Sequence, residues 1–125
     1  MRLHHIGIIV KNINEAAIYY KNKGFSYDGL IIKDEIQYNR IVFMEKNKVR
    51  IELIEPIDPR STVWKASIGV HHICYDSEGG KEVIHMFKAA KVGKIFTRPI
   101  YAPALEGKEI VFACLKNGLL VEFIL

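Results

Sequence analysis

Six residues of this chain have types and spacings that suit metal chemistry: His4, His5, Glu52, His71, His72 and Glu122. His4-His5-Ile6 returns as His71-His72-Ile73. Ile51-Glu52-Leu53-Ile54 returns as Val121-Glu122-Phe123-Ile124. Each glutamate stands in the middle of an apolar run, where a carboxylate is costly unless it is paired or bound to a metal. A single glutamate of this kind carries little weight, and a lone histidine in a strand is most often an ordinary packed residue. Two glutamates at matched positions of a repeat, each matched to a histidine, make a pattern. Two imidazoles and two carboxylates form a mixed nitrogen and oxygen set. It suits Zn²⁺, Ni²⁺, Co²⁺, Mn²⁺ or Fe²⁺ better than Ca²⁺. Four such ligands leave open positions on an octahedral ion for water or a substrate oxygen. With no thiolate beside them, a closed structural zinc site is disfavoured.

The elements that must position these residues also repeat. Strand-like runs begin at Leu3–Val10 and Val70–Asp76. Helix-like segments follow at Asn14–Lys23, with Asn12 or Asn14 to cap it and Gly24 to close it, and at Lys81–Lys91, closed near Gly93. Val83, Ile84, Phe87 and Ala90 recur at helical spacing. Three strand-like runs come next in each half: Phe25–Ile32, Tyr38–Met44 and Val49–Ile54, then Lys94–Thr97, Glu109–Cys114 and Leu119–Leu125. Lys46-Asn47 and Lys116-Asn117-Gly118 are the hairpin turns. Each half therefore reads β-α-β-β-β. The expectation is one α+β domain over 1–125, with modules at 1–56 and 69–125 and a linker at 57–68. A metal-lined cleft is expected between the curved, mixed sheets. Period-2 alternation puts His5 with Leu3, Gly7 and Ile9, and His4 on the opposite face. Glu52 points with Ile54, and Glu122 with Leu120 and Ile124. The residues alone leave open which histidine of each pair is the ligand. His4 and His71 suit packing near the helix or support of the ligands.

Bulk properties narrow the classes. Half of the 125 residues are hydrophobic and about a quarter charged, which is globular rather than disordered composition. The longest apolar runs are too short for a transmembrane helix, and a strand-like segment begins at once, without a signal peptide. The expected location is the cytoplasm. Cys74 and Cys114 lie in apolar runs and read as buried thiols. The net charge of +4 is spread along the chain without aromatic interleaving, so no nucleic-acid footprint is present.

Four segments resemble the vicinal oxygen chelate superfamily, the paired βαβββ metalloenzymes that include glyoxalase I and methylmalonyl-CoA epimerase. They are Leu3–Val10, Arg50–Pro56, Gly69–Ile73 and Gly118–Phe123, in order along nearly the whole chain. The resemblance implies one divalent metal ion held by His5, Glu52, His72 and Glu122. It implies an isomerase or lyase that removes a proton beside a carbonyl through a metal-stabilised enediolate. Glu122 would be the base and Glu52 the group that returns the proton, with glutamates that stay on the metal as pure ligands the alternative. The substrate would be a CoA thioester or a thiol hemithioacetal, and the assembly a homodimer. Ser61–Lys65 before Gly69–Ile73 is most similar to the epimerase branch, whereas Ala102–Gly107 is more similar to small bacterial glyoxalase I-type proteins. Some epimerases carry an extra acid–base glutamate before the third strand's apolar stretch; that place holds Arg40 here. Arg40, Arg98 and Lys108 are candidates for an anionic substrate group, with solvated surface charge as the competing reading. Pro99–Lys108 reads as a lid or a connecting loop. Drug-sequestering relatives share the fold and lack the metal set, so the intact set argues against that alternative. A biosynthetic enzyme of the same fold with another substrate is a further one.

Overall fold

The computed structural model describes residues 1–78 and 80–125. The described residues form two helices and ten strands, an α+β chain. They divide into two compact units, His5–His71 and His72–Leu125, with Met1–His4 joining the latter.

The unit His5–His71 carries β1 (Arg2–Ile9), α1 (Ile13–Asn22), β2 (Ser26–Tyr27), β3 (Ile32–Asp34), β4 (Asn39–Lys46) and β5 (Val49–Pro56). Its strands run in the order β2-β4-β5-β1, with β3 also on β4. β1 lies parallel to β5, and β4 antiparallel to β5. Helix α1 lies in the connection that a parallel pair requires. Asn12 caps α1, accepting from the Glu15 N–H at 3.0 Å. At the other end the Gly24 N–H donates to the Lys21 carbonyl and the Phe25 N–H to that of Tyr20, a Schellman closure. Gly24 takes φ +94°, and the Phe25 and Tyr20 rings meet at 5.4 Å. Ile13 and Ala17 of α1 pack on Val42, Met44, Ile51 and Leu53. Asn47 and Lys48 both have positive φ, the two-residue turn whose twist matches the flanking strands.

The second unit carries β6 (Gly69–Asp76, from His72 onward), α2 (Glu82–Ala90), β7 (Gly93–Ile95), β8 (Ile100–Ala102), β9 (Lys108–Leu115) and β10 (Leu120–Ile124). Its order is β6-β10-β9-β7, with β8 also on β9. Again the first strand is parallel to the last, and the last two are antiparallel. Val83 and Phe87 of α2 pack on Val111, Ala113, Val121 and Phe123. Arg2, near the N-terminus, pairs with Asp76 at 3.6 Å.

Four expectations are corrected. The run Phe25–Ile32 is two short strands, because Gly29, at φ +103°, breaks it. Pro99–Lys108 holds β8 and a 3₁₀ turn at Pro103–Leu105, so it is an ordered part of the sheet edge. Gly93 does not close α2: Lys91 does so in the left-handed conformation, and Gly93 lies within β7. Cys74 is buried as expected, but Cys114 is exposed. No helix among the described residues is long and apolar enough to cross a membrane.

Candidate metal centre

Each unit builds one His–Glu pair in the same way. In the first, β1 buries His5, Gly7 and Ile9 on one face. Glu52 is the register partner of Gly7 on the parallel strand β5. His5 Nε2 lies 3.4 Å from Glu52 Oε1, with His5 1% and Glu52 6% exposed. In the second, Glu122 is the register partner of Cys74, two residues beyond His72 on β6. His72 Nε2 lies 3.4 Å from Glu122 Oε1, with both residues 3% exposed.

The local reason is alternation. Ile51 and Leu53 pack on α1, so Glu52 faces away from the helix. Val121 and Phe123 pack on α2, so Glu122 does the same. The faces that carry the pairs are themselves buried: Ile9, Ile54 and Val63 cluster in the first unit, and Ile110 and Ile124 are buried in the second.

The donor chemistry fits a metal ion. Ligand atoms roughly 2.0–2.2 Å from one ion lie about 3.0 Å apart at a right angle and about 3.4 Å apart at the tetrahedral angle. The separation of 3.4 Å in both pairs falls within that range. It is long for a direct charge-assisted hydrogen bond.

Two phenylalanines, which residue types had not singled out, complete the pattern. Phe43 of β4 is the register partner of Glu52, and its ring meets that of His5 at 5.0 Å and 68°. Phe112 of β9 is the register partner of Glu122, and its ring meets that of His72 at 5.5 Å and 87°. A signal was present in the chain, since Ile41-Val42-Phe43 returns as Ile110-Val111-Phe112.

The three candidate substrate cations are placed differently. Arg40 shares the face of Val42 and Met44, so it is on the helix side of β4 and not on the side of Glu52. There its Nη1 reaches Glu55 Oε2 at 3.4 Å, while Glu55 Oε1 accepts from the first N–H of α1, that of Ile13. This arrangement gives Arg40 a structural role at the start of α1. Lys108 shares the face of Ile110 and Phe112, about 13 Å along β9 from Phe112 at the usual strand rise. Arg98 is exposed between β7 and β8.

A buried polar cluster was also missed. Ser61 donates to Asn39 Oδ1 at 2.5 Å and accepts from the Val63 N–H. Asn39 Nδ2 reaches Thr62 Oγ1, and that hydroxyl donates to Gln37 Oε1. The cluster ties the segment after β5 to β4, on the same face of β4 as Phe43. Asn39 and Ser61 are far apart in sequence and carry no repeat signature, so nothing in the chain pairs them.

The comparisons agree with this architecture. The family model for the Glyoxalase/Bleomycin resistance protein/Dioxygenase superfamily matches residues 4–112. The chain belongs to that superfamily. It is 32% identical to the protein named Uncharacterized protein YqjC of Bacillus subtilis (strain 168), over 97% of this chain and 89% of that one. A hypothetical protein from Bacillus halodurans C-125 superposes with a TM-score of 0.86 at 26% identity, covering 98% of this chain and 92% of the other. Methylmalonyl-CoA epimerase of Streptomyces coelicolor, in complex with 2-nitronate-propionyl-CoA, superposes at 0.82 with 22% identity, covering 99% and 93%. At that identity the epimerase speaks to the fold alone.

Proposed function

We propose that this protein is a divalent-metal-dependent isomerase or lyase that moves a proton on the carbon beside a substrate carbonyl. The observation that carries the reading is the pair of buried His–Glu sets, His5 with Glu52 and His72 with Glu122, each with a donor separation of 3.4 Å. Each set offers only two donors. Together they offer four, the usual complement of a tightly held ion that still keeps open positions in a higher coordination number. The modules 1–56 and 69–125 would thus contribute one histidine and one glutamate each. When bound, the ion would supply Lewis-acid stabilisation of negative charge on a substrate oxygen.

The protein's own groups would do the rest. Glu122 would take the α proton. Glu52, entering as the carboxylic acid, would deliver its own proton to the same carbon from the other face or to the neighbouring carbon, leaving the two carboxyl groups with exchanged protonation for solvent to reset. A positioned acid or base of this kind contributes roughly 10²–10⁴-fold. The apolar neighbours Ile9, Ile54 and Phe43 would keep water from the carboxylate of Glu52. The substrate class is an acyl-CoA thioester or a thiol hemithioacetal. The first is favoured by the likeness to an epimerase whose structure holds a propionyl-CoA analogue. Lys108, rather than Arg40, is the candidate for an anionic group of the substrate, because it shares the face of Phe112.

The test is deuterium uptake from D₂O into methylmalonyl-CoA and into the methylglyoxal–glutathione adduct, with Zn²⁺, Co²⁺ or Ni²⁺ loaded. Uptake that needs both the metal and Glu122 supports the reading. Metal-independent uptake, or none with either substrate, counts against it.

A further inference from the structure

The two phenylalanines that face the histidines do not belong to the helix-packed cores. On β4 those positions are filled by Val42 and Met44, and on β9 by Val111 and Ala113. Phe43 and Phe112 instead point to the glutamate side of their strands, each directly opposite a buried carboxylate. Each ring stands edge to face with an imidazole, at 68° in the first unit and 87° in the second, the geometry that aromatic pairs prefer. The arrangement occurs twice in one chain, on separate units, with the same register and the same partner types. Packing alone would ask only for an apolar residue of similar size.

An imidazole can turn about its Cβ–Cγ bond, and that turn carries Nε2 toward or away from the carboxylate. A flat ring set across it blocks the turn. We infer that Phe43 and Phe112 are positioning residues that fix the rings of His5 and His72, so that each Nε2 faces its glutamate before any ligand arrives. The consequence for metal binding rests on the function proposed above; the ring orientation itself does not. The backbone on the far side helps hold each phenylalanine. The Asp28 N–H donates to the Phe43 carbonyl at 2.8 Å, and the Phe96 N–H to the Phe112 carbonyl at 3.0 Å. Phe112 is also stacked on Phe96, with ring centroids 6.4 Å apart.

The experiment records the imidazole nitrogen and carbon-bound proton signals of His5 and His72 by NMR in the metal-free protein. Zn²⁺ affinity is then measured by competition with a chromophoric chelator. Phe43→Leu is expected to broaden the His5 ring signals by exchange between ring orientations, beyond the shift that loss of a nearby ring current gives by itself, and Phe112→Leu those of His72. Each is expected to weaken Zn²⁺ about 10-fold, the scale of losing a group that orients a ligand. Phe87→Leu, in the α2 core, is the control: it should lower the melting temperature and leave both rings and the affinity as in the parent. Phe43→Met and Phe112→Met keep more of the apolar volume and replace the leucine variants if those fail to fold. Linewidths in the Phe43 and Phe112 variants as sharp as in the parent, or broadened equally by Phe87→Leu, would overturn the inference. A parent that binds no Zn²⁺ would overturn the metal reading alone, because the ring signals of the metal-free protein still decide the positioning.

Discussion

Phe43 lies directly across the antiparallel β4–β5 pair from Glu52. Its ring also touches His5, two residues before the glycine that is Glu52's partner on β1. A histidine, a glutamate and a phenylalanine from three adjacent strands therefore form one group. The second unit builds the same group from His72, Glu122 and Phe112. The duplicated unit of this chain is thus a set of three side chains on a shared sheet face.

If Glu122 and Glu52 divide the proton transfer, their variants should differ in kind. Glu122→Gln should abolish solvent exchange at the α carbon, a loss of roughly 10²–10⁴-fold. Glu52→Gln should leave exchange with retained configuration and stop the return from the other face. Stereochemical analysis of the deuterated thioester separates the two. Equal loss of both reactions, in step with loss of metal, would make both glutamates ligands only.

Gly93 is required by contact with the neighbouring strand. A Cβ there would stand 2.3 Å from the Cys114 carbonyl oxygen and 2.8 Å from the Leu115 Cα. Both are backbone atoms, which cannot swing aside. Gly93→Ala should cost about 1–3 kcal/mol, the range for forcing extra volume into a packed site. Urea unfolding should show this as a lower midpoint with an unchanged slope.

The polar cluster beneath the segment after β5 should be as sensitive. Ser61→Ala removes the hydroxyl that donates to Asn39 and accepts from the Val63 N–H. Asn39 is 3% exposed, so water cannot easily replace that donor. A loss of about 1–3 kcal/mol is expected on unfolding. A midpoint equal to that of the parent would show that the cluster is relaxed.

Asp58 should titrate at about 2, held down from 3.8 first by the side-chain hydrogen bond from Arg60 and then by the Arg60 backbone N–H. Arg60 is pulled upward by the same pair and also lies over the Tyr38 ring at 4.2 Å. The folded value is depressed, so the pair's contribution to stability is present above pH 3.8. It is lost as pH falls toward 2. The pair is exposed, so solvent and salt keep that contribution small. Carboxyl carbon shifts measured by NMR should give the low midpoint, and Arg60→Gln should return it toward 3.8.

Much of this was legible in the chain because the signals were local or repeated. Asn12 and Gly24 mark the ends of α1, and alternation around Glu52 and Glu122 gave their facing. β8 was hidden because it has only three residues, Ile100–Ala102, with prolines close on either side, too short for a period to appear. The break in Phe25–Ile32 was signalled by the turn dipeptide Asp28-Gly29, with Gly29 at φ +103°, but the apolar residues on either side masked it as one run. Cys114 was misplaced because both faces of the preceding residues on β9 are apolar, which conceals that the strand end leaves the core. The setting of Arg40 was hidden for want of its register: only its pairing with Glu55 places it beside the start of α1.

The central claim is that His5, Glu52, His72 and Glu122 together hold one divalent ion. Its most direct test is the metal content of the purified protein after reconstitution and removal of loose ions, measured beside Glu122→Gln and Glu52→Gln. The account predicts about one ion per chain for the parent, in line with a four-donor site. It predicts a loss of at least roughly 10-fold in affinity when either carboxylate is replaced. A parent that retains no metal, or glutamine variants that bind it as tightly as the parent, would contradict it.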